Sequence, residues 1–221
     1  MIDKFSNIFD GLKAAYGTYK INGRDTKGKA TGKATVVKES RTTETWEAHL
    51  SGQQSIGIIP INEDNECKWG CIDVDEYNFN HQELIERLQK AKLPLVVCRS
   101  KSGGAHVFLF TTEFIPAKDM QETLKRLAVS LGYGSCEIFP KQIVLHLERG
   151  DVGNFLNTPY FDHENGLRYA FNPDGTAATI EEFFDLYDQN VQTHEQVLAL
   201  KVEDDPDLPL KDGPPCLQML C

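Results

Sequence analysis

The chain has 221 residues, enough for one large domain or two small modules sharing an interface. Its 40% hydrophobic content is that of a globular protein, which excludes a disordered or fibrous chain. No apolar run approaches the about 18 residues that span a bilayer, and the opening Met1-Ile-Asp-Lys-Phe-Ser6 lacks the basic and apolar parts of a signal peptide, so a cytoplasmic setting is expected.

Net charge is −10, which argues against a uniformly basic nucleic-acid coat, but the distribution matters more than the sum. Residues 11–43 carry Lys13, Lys20, Arg24, Lys27, Lys29, Lys33, Lys38 and Arg41 against only Asp25 and Glu39. Such an arm either follows a phosphate backbone or is a solvated loop. The six cysteines show no disulfide framework. Cys67, Cys71, Cys98 and Cys136 fall in or beside predicted strands, where Cys serves as a small buried hydrophobe. Cys67 and Cys71 make a poor zinc pair, and no zinc is expected.

In chain order, Phe5, Ile8, Phe9 and Leu12 recur at helical spacing, with Gly17 as a stop. Residues 22–35, basic and Gly-rich, read as loop. Trp46 to Leu50 reads as helix and Ser55 to Ile61 as a buried strand. The next block alternates regularly: strand Lys68–Asp75, helix Asn80–Lys92 with Asn80 and Glu83 at capping spacing, and strands Leu93–Arg99 and Ala105–Thr111. Helix Ala117–Leu131 and strand Cys136–Phe139 complete it. This β-α-β-β-α-β order is the split βαβ, or RRM-like, unit. Ile143–Leu147 and a turn-rich stretch follow. A helix from Thr179, with Glu182 completing a capping box, precedes a short helix near Glu195. Residues 201–221 read as an acidic, Pro-broken linker and the start of a further region.

Candidate chemistry begins at Ile72-Asp73-Val74-Asp75. Alternate strand residues share a face about 6.5 Å apart, so Asp73 and Asp75 point together. Two adjacent carboxylates repel unless a divalent cation joins them. From this pair alone, a strand end running into an exposed turn stays open. In a β-α-β-β-α-β sheet of spatial order 4-1-3-2, however, the end of the first strand meets the starts of the third and fourth. That brings His106 and Glu137 to the same edge as the two Asp. The loop Arg99-Ser-Lys-Ser-Gly-Gly-Ala-His106 lies on that edge too. Gly103 and Gly104 let backbone approach an anion, Lys101 adds charge, and Ser102 and His106 add donors. Lys141 offsets charge beside Glu137. Three acids suit two divalent ions. The segment Gly23-Arg-Asp-Thr-Lys-Gly-Lys-Ala30 nearly matches a P-loop but ends in Ala where a Ser/Thr is required, and is rejected.

Taken together, Ile72-Asp73-Val74-Asp75, Ser102-Gly-Gly-Ala-His106 and Cys136-Glu137-Ile-Phe-Pro140 resemble, in order, the three motifs of the archaeo-eukaryotic primase superfamily, particularly its primase-polymerases from phages, plasmids and mobile elements. His49-Leu50-x-Gly52 with Ile56-Gly57-Ile58-x-Pro60, and Gly153-Asn-Phe-Leu-Asn-Thr-Pro-Tyr160, are similar to flanking segments of that family. The likeness covers about residues 12–190 and departs at Glu137, where Asp is common.

The resemblance implies an α+β fold: an N-terminal α/β module (1–66 with 140–200) packed on an RRM-like module (67–139), with the active site between them. It also implies template-directed nucleotide addition and primer synthesis. Asp73, Asp75 and Glu137 would hold Mg²⁺ or Mn²⁺. Lys101, Ser102, Gly103, Gly104, His106, Lys141 and Asn154 would hold nucleotide or template. The expected partners are dNTPs or NTPs and single-stranded DNA template with primer. A C-terminal primase region or a helicase beyond residue 221 is also expected, and for a phage-borne gene the setting is the bacterial cytoplasm. Two other readings of Asp-x-Asp stay open: a nuclease or nucleotide-sugar transferase, and a non-catalytic nucleic-acid module stacking bases on its sheet.

Overall fold

The computed structural model describes residues 1–24, 30–76 and 78–201, with backbone alone for 20–24 and 30–32. The elements run α1 (Ile2–Ile8), β1 (Tyr16–Arg24), β2 (Ala30–Val37), α2 (Thr43–Leu50), β3 (Ile56–Ile58), β4 (Glu66–Val74), α3 (His81–Lys90), β5 (Val96–Arg99), β6 (Ala105–Pro116), α4 (Ala117–Ser130), β7 (Glu137–Phe139), β8 (Leu156–Asn157), α5 (Ile180–Asn190) and α6 (His194–Ala199). They form two four-stranded antiparallel sheets, ordered β2-β1-β3-β8 and β5-β6-β4-β7.

The second sheet has the strand order expected from its β-α-β-β-α-β sequence, and alternation along β4 and β6 explains its layers. Ile72, Val74, Val107 and Leu109 point to one side and bury Leu84, Ile85 and Leu88 of α3 with Met120, Leu124 and Leu127 of α4. Trp69, Cys71, Phe108 and Phe110 point to the other. There they meet Phe9 and Phe183 of α5: Phe9 stacks on Phe183 at 5.9 Å and meets Trp69 edge-on at 5.8 Å. Phe5 of α1 packs edge-on against Trp46 of α2 at 5.8 Å. One aromatic core therefore ties the N-terminal helices to the second sheet. The capping boxes of α5 (Thr179 with Glu182) and the Asn80 cap of α3 form as expected, and a further box, Thr193 with Gln196, starts α6.

The structure corrects two expectations. Residues 22–35 are not simply loop: β1 continues to Arg24 and β2 begins at Ala30, paired from Tyr16↔Val37 to Arg24↔Ala30. The glycines masked a strand pair rich in Tyr, Thr, Ile and Val, and a register shift between Ile21 and Gly23 absorbs a residue as a bulge does. Because a strand follows residues 25–29, the P-loop lookalike lacks the helix that motif needs. The second correction concerns the basic arm. Arg41 turns inward, donating to the carbonyls of Leu12 and Ala15 and pairing with Asp10 at 3.5 Å. Lys27 and Lys29 lie outside the described residues. Among the described residues no helix is long and apolar enough to cross a membrane.

His49 joins three segments of this frame. Its Nδ1 accepts from the Ile56 amide at 3.1 Å, and its Nε2 donates to the Pro159 carbonyl at 2.8 Å. Burial is the main force lowering its pKa from 6.5 to about 4, so the ring is neutral in the fold. Between those two values the unfolded chain binds the extra proton. His49 therefore adds stability above pH 6.5 that drains away as pH falls toward 4. Replacing His49 by Leu strands a buried donor and a buried acceptor. It is expected to cost about 3 kcal/mol in urea unfolding at neutral pH and to flatten the loss of stability between pH 6.5 and 4, relative to the parent.

Candidate active site

Central β4 pairs on both sides, and Asp73 stands directly opposite His106 of β6 and Glu137 of β7. Paired residues of antiparallel strands share a face. The three side chains therefore form one row, at the end of the face that buries Trp69, Phe108 and Phe110. His106 is nearly buried, its ring edge-on to Phe108 at 5.9 Å, and its Nε2 lies 3.4 Å from Asp73 Oδ1. Glu137 is exposed and pairs with Lys141, Oε2 to Nζ 2.6 Å. A hollow of 430 Å³, lined among others by Gln121, Lys125, Glu137 and Lys141, opens at that end of the row. A second hollow of 410 Å³ lies away from the acids, between α3, β5 and α5, among Leu88, Leu93, Leu95 and Phe171.

Asp75 follows the last residue of β4 and accepts a hydrogen bond from the Ser102 hydroxyl at 2.8 Å. Ser102 in turn meets the Ser100 hydroxyl at 3.0 Å. The loop is a tight turn: the Ser100 amide donates to the Gly104 carbonyl at 2.9 Å, and the Gly103 amide to the Ser100 carbonyl at 3.2 Å. Gly103 takes φ +97, open to glycine. A Cβ at Gly104 would sit 2.1 Å from the Val74 carbonyl oxygen, so glycine there lets the loop lie flat on the end of β4. The Gly103 N–H, expected to face an anion, is thus engaged inside the turn. Lys101 Nζ lies 3.0 Å from the centre of the Tyr19 ring. Asn154 is tied to Gln142, whose side-chain oxygen accepts from the Asn154 amide at 3.1 Å and whose amide donates to the Asn154 side chain.

Sequence reasoning missed His81. Its Nε2 contacts the Gly104 carbonyl at 3.0 Å, and its ring stacks on Phe171 at 4.6 Å. Burial chiefly lowers its pKa, opposed by the Gly104 carbonyl. The neutral ring donating from Nε2 supports the turn from the α3 side. Nothing local in Asn80-His81-Gln82 signals this, because Gly104 arrives from a loop distant in sequence.

Asp73, Asp75 and Glu137 are hard oxygen donors of the kind Mg²⁺ and Mn²⁺ take. Their chemistry fits such ions, and the row places Glu137 across from Asp73. In the side-chain positions described, Glu137 leans to Lys141 and Asp75 to Ser102. Among the described residues no group of three or more His, Cys, Asp or Glu converges as a ready-made cage.

The family model for the archaeo-eukaryotic primase domain of TOTE conflict systems matches residues 12–198. No curated protein matches the chain. Among solved structures, the chain is similar to the primase-polymerase domain of cyanophage S-2L, with 10% identity and a TM-score of 0.43 over 84% of this chain and 95% of that one. It is also similar to the catalytic domain of the primase RepB′ in complex with initiator DNA, with 10% identity and a TM-score of 0.39 over 90% and 96%. A further structure of RepB′ gives 13% identity and a TM-score of 0.39 over 85% and 61%. The family match, which spans most of the chain, carries the weight here.

Gly104 offers a direct check on the loop. Gly104→Ala forces its methyl into the Val74 carbonyl, and is expected to destabilise the protein by about 2 kcal/mol, read as a lower melting temperature. Ser102→Ala, which removes a partly exposed hydroxyl, is expected to leave that temperature within about a degree or two of the parent.

Proposed function

The chain belongs to the archaeo-eukaryotic primase domain family of TOTE conflict systems, and from that membership we propose that it is a template-directed DNA primase-polymerase, joining (d)NTPs to a 3′-hydroxyl and starting primers de novo. The observation that carries this reading is the strand register that sets Asp73 opposite both His106 and Glu137. The loop bearing Ser102 meets the same edge through Asp75.

In this reading Asp73, Asp75 and Glu137 would hold Mg²⁺ or Mn²⁺. The ions would supply charge neutralisation at the triphosphate and a more acidic 3′-hydroxyl. Ser102, His106 and the backbone at Gly104 orient the triphosphate, with Gly103 shaping the turn that carries them and Lys101 as a point charge. Lys141 balances Glu137 and the nucleotide. Asn154, braced by Gln142, contacts nucleotide or template. The enzyme works in the cytoplasm, on a single-stranded DNA template with its primer, between a module of residues 1–66 with 140–200 and a module of residues 67–139.

The alternative of a non-catalytic module that stacks bases on its sheet loses its surface. Trp69, Phe108 and Phe110, the aromatics such a module would offer, are each at most 1% exposed. A nuclease or nucleotide-sugar transferase is separated by assay. The protein is incubated with a single-stranded template, labelled dNTPs or NTPs, and Mn²⁺ or Mg²⁺, without primer. Labelled products are expected. Asp73→Ala is expected to lose at least about a hundred-fold in rate with an unchanged melting profile. Degraded DNA without incorporation, or incorporation retained in Asp73→Ala, would sink the reading.

A further inference from the structure

Lys101 projects from the loop between β5 and β6, yet the side chain that receives it belongs to the other sheet. Its ammonium sits 3.0 Å from the centre of the Tyr19 ring, and Tyr19 is a residue of β1. We infer that Tyr19 is a positioning residue for the incoming nucleotide, whose ring holds the Lys101 ammonium at the phosphate loop. The inference rests on the nucleotidyl-transfer reading of that loop and brings the first sheet into it.

The placement of Tyr19 follows from its strand. β1 is held on both sides, through Tyr19↔Ala34 to β2 and through Gly17↔Gly57 and Thr18↔Ile56 to β3. Gly17 shares Tyr19's face, two residues earlier. A Cβ at Gly17 would fall 2.2 Å from Phe155 Cγ, and one at Gly57 2.3 Å from Phe155 Cδ2. The Phe155 ring therefore lies flush on bare backbone, and Tyr19 is the next side chain along that face. Phe155 follows Asn154 directly, so the segment packed on that face runs on from the residue that Gln142 braces.

The chemistry of the contact suits positioning rather than catalysis. A lysine carries a compact, hydrated charge on a four-carbon stem and loses much rotamer freedom when it must hold one place. The negative face of an aromatic ring attracts the ammonium and restricts it in advance. The ring covers one side of the ammonium, whose three donors can be divided among several acceptors. A phosphate oxygen and the ring can then share the same cation, and part of the ordering cost of nucleotide binding is met before the nucleotide arrives. The consequence falls on nucleotide affinity and leaves the turnover step alone.

The test uses the full chain and the variants Tyr19→Leu, Tyr19→Phe, Lys101→Met and the double variant Tyr19→Leu/Lys101→Met. Two readouts are taken: KM and kcat for dNTP incorporation, and calorimetric binding of inorganic triphosphate with Mn²⁺, which needs no turnover. Tyr19→Leu is expected to raise KM and weaken triphosphate binding by about three- to five-fold, with kcat unchanged. Tyr19→Phe, which keeps the ring face, restores the parent values. The double variant is expected to bind no more weakly than Lys101→Met alone. Additive losses in the double variant, equal losses in Tyr19→Phe and Tyr19→Leu, or an unchanged affinity in Tyr19→Leu would each overturn the inference. Triphosphate binding without incorporation in the parent protein would instead overturn the nucleotidyl-transfer reading while leaving the Tyr19–Lys101 coupling measurable.

Discussion

The two-sided pairing of β4 is the constraint on which the site depends. Asp73 meets His106 on one side and Glu137 on the other only because β4 lies between β6 and β7 in one particular register. A slip of one residue would exchange every side chain between faces and put Ile72 or Val74 where Asp73 stands. What prevents the slip is burial on both faces. Ile72 and Val74 are fully buried toward α3 and α4, and Trp69 and Cys71 are equally buried toward α1 and α5. The position of the Asp73 carboxylate is thus enforced by apolar packing along the strand, and the irregular pairing between Cys67 and Trp69 takes up the mismatch beyond it.

The row also solves an electrostatic problem. Three acids near one sheet edge repel, and each has a partner: Asp73 has His106, Glu137 has Lys141, and Asp75 has the Ser102 hydroxyl. These partners are the groups to which the proposed function assigns the triphosphate. In the proposed function, the same donors that meet the acids would pass to phosphate oxygens as a cation took over the carboxylates.

Much of this was legible from local pattern. Strict alternation through Ile72-Asp73-Val74, the caps at Asn80 and Thr179, and the helical stripes of α3 and α4 specify the second sheet, and its topology then places Asp73, His106 and Glu137 together. The hairpin of β1 and β2 was hidden because glycines and lysines dilute its β-branched residues. Its pairing is a property of two segments rather than of either one. His49, His81 and Tyr19 were illegible for a related reason. Each acts on a partner remote in sequence: Pro159, Gly104 and Lys101 respectively. No spacing rule reports such contacts. The engagement of the Gly103 amide within its own turn likewise depends on how the loop closes, which composition does not specify.

The division of labour between the two faces of the second sheet explains why its chemistry sits at an edge. One face is sealed by α3 and α4, and the other by the aromatic core shared with α1 and α5. A sheet covered on both sides has no open surface for bases or nucleotides. Polar groups can reach a ligand only where strands end. Asp73 and His106 stand at that boundary, with Phe108 next to His106 on the buried side and the Ser100–Gly104 turn on the other. There the ring of His106 is oriented by packing while its Nε2 faces Asp73. Rigid support and access are both available at this point because the aromatic core of this face ends at Cys71 and Phe108, the preceding same-face positions.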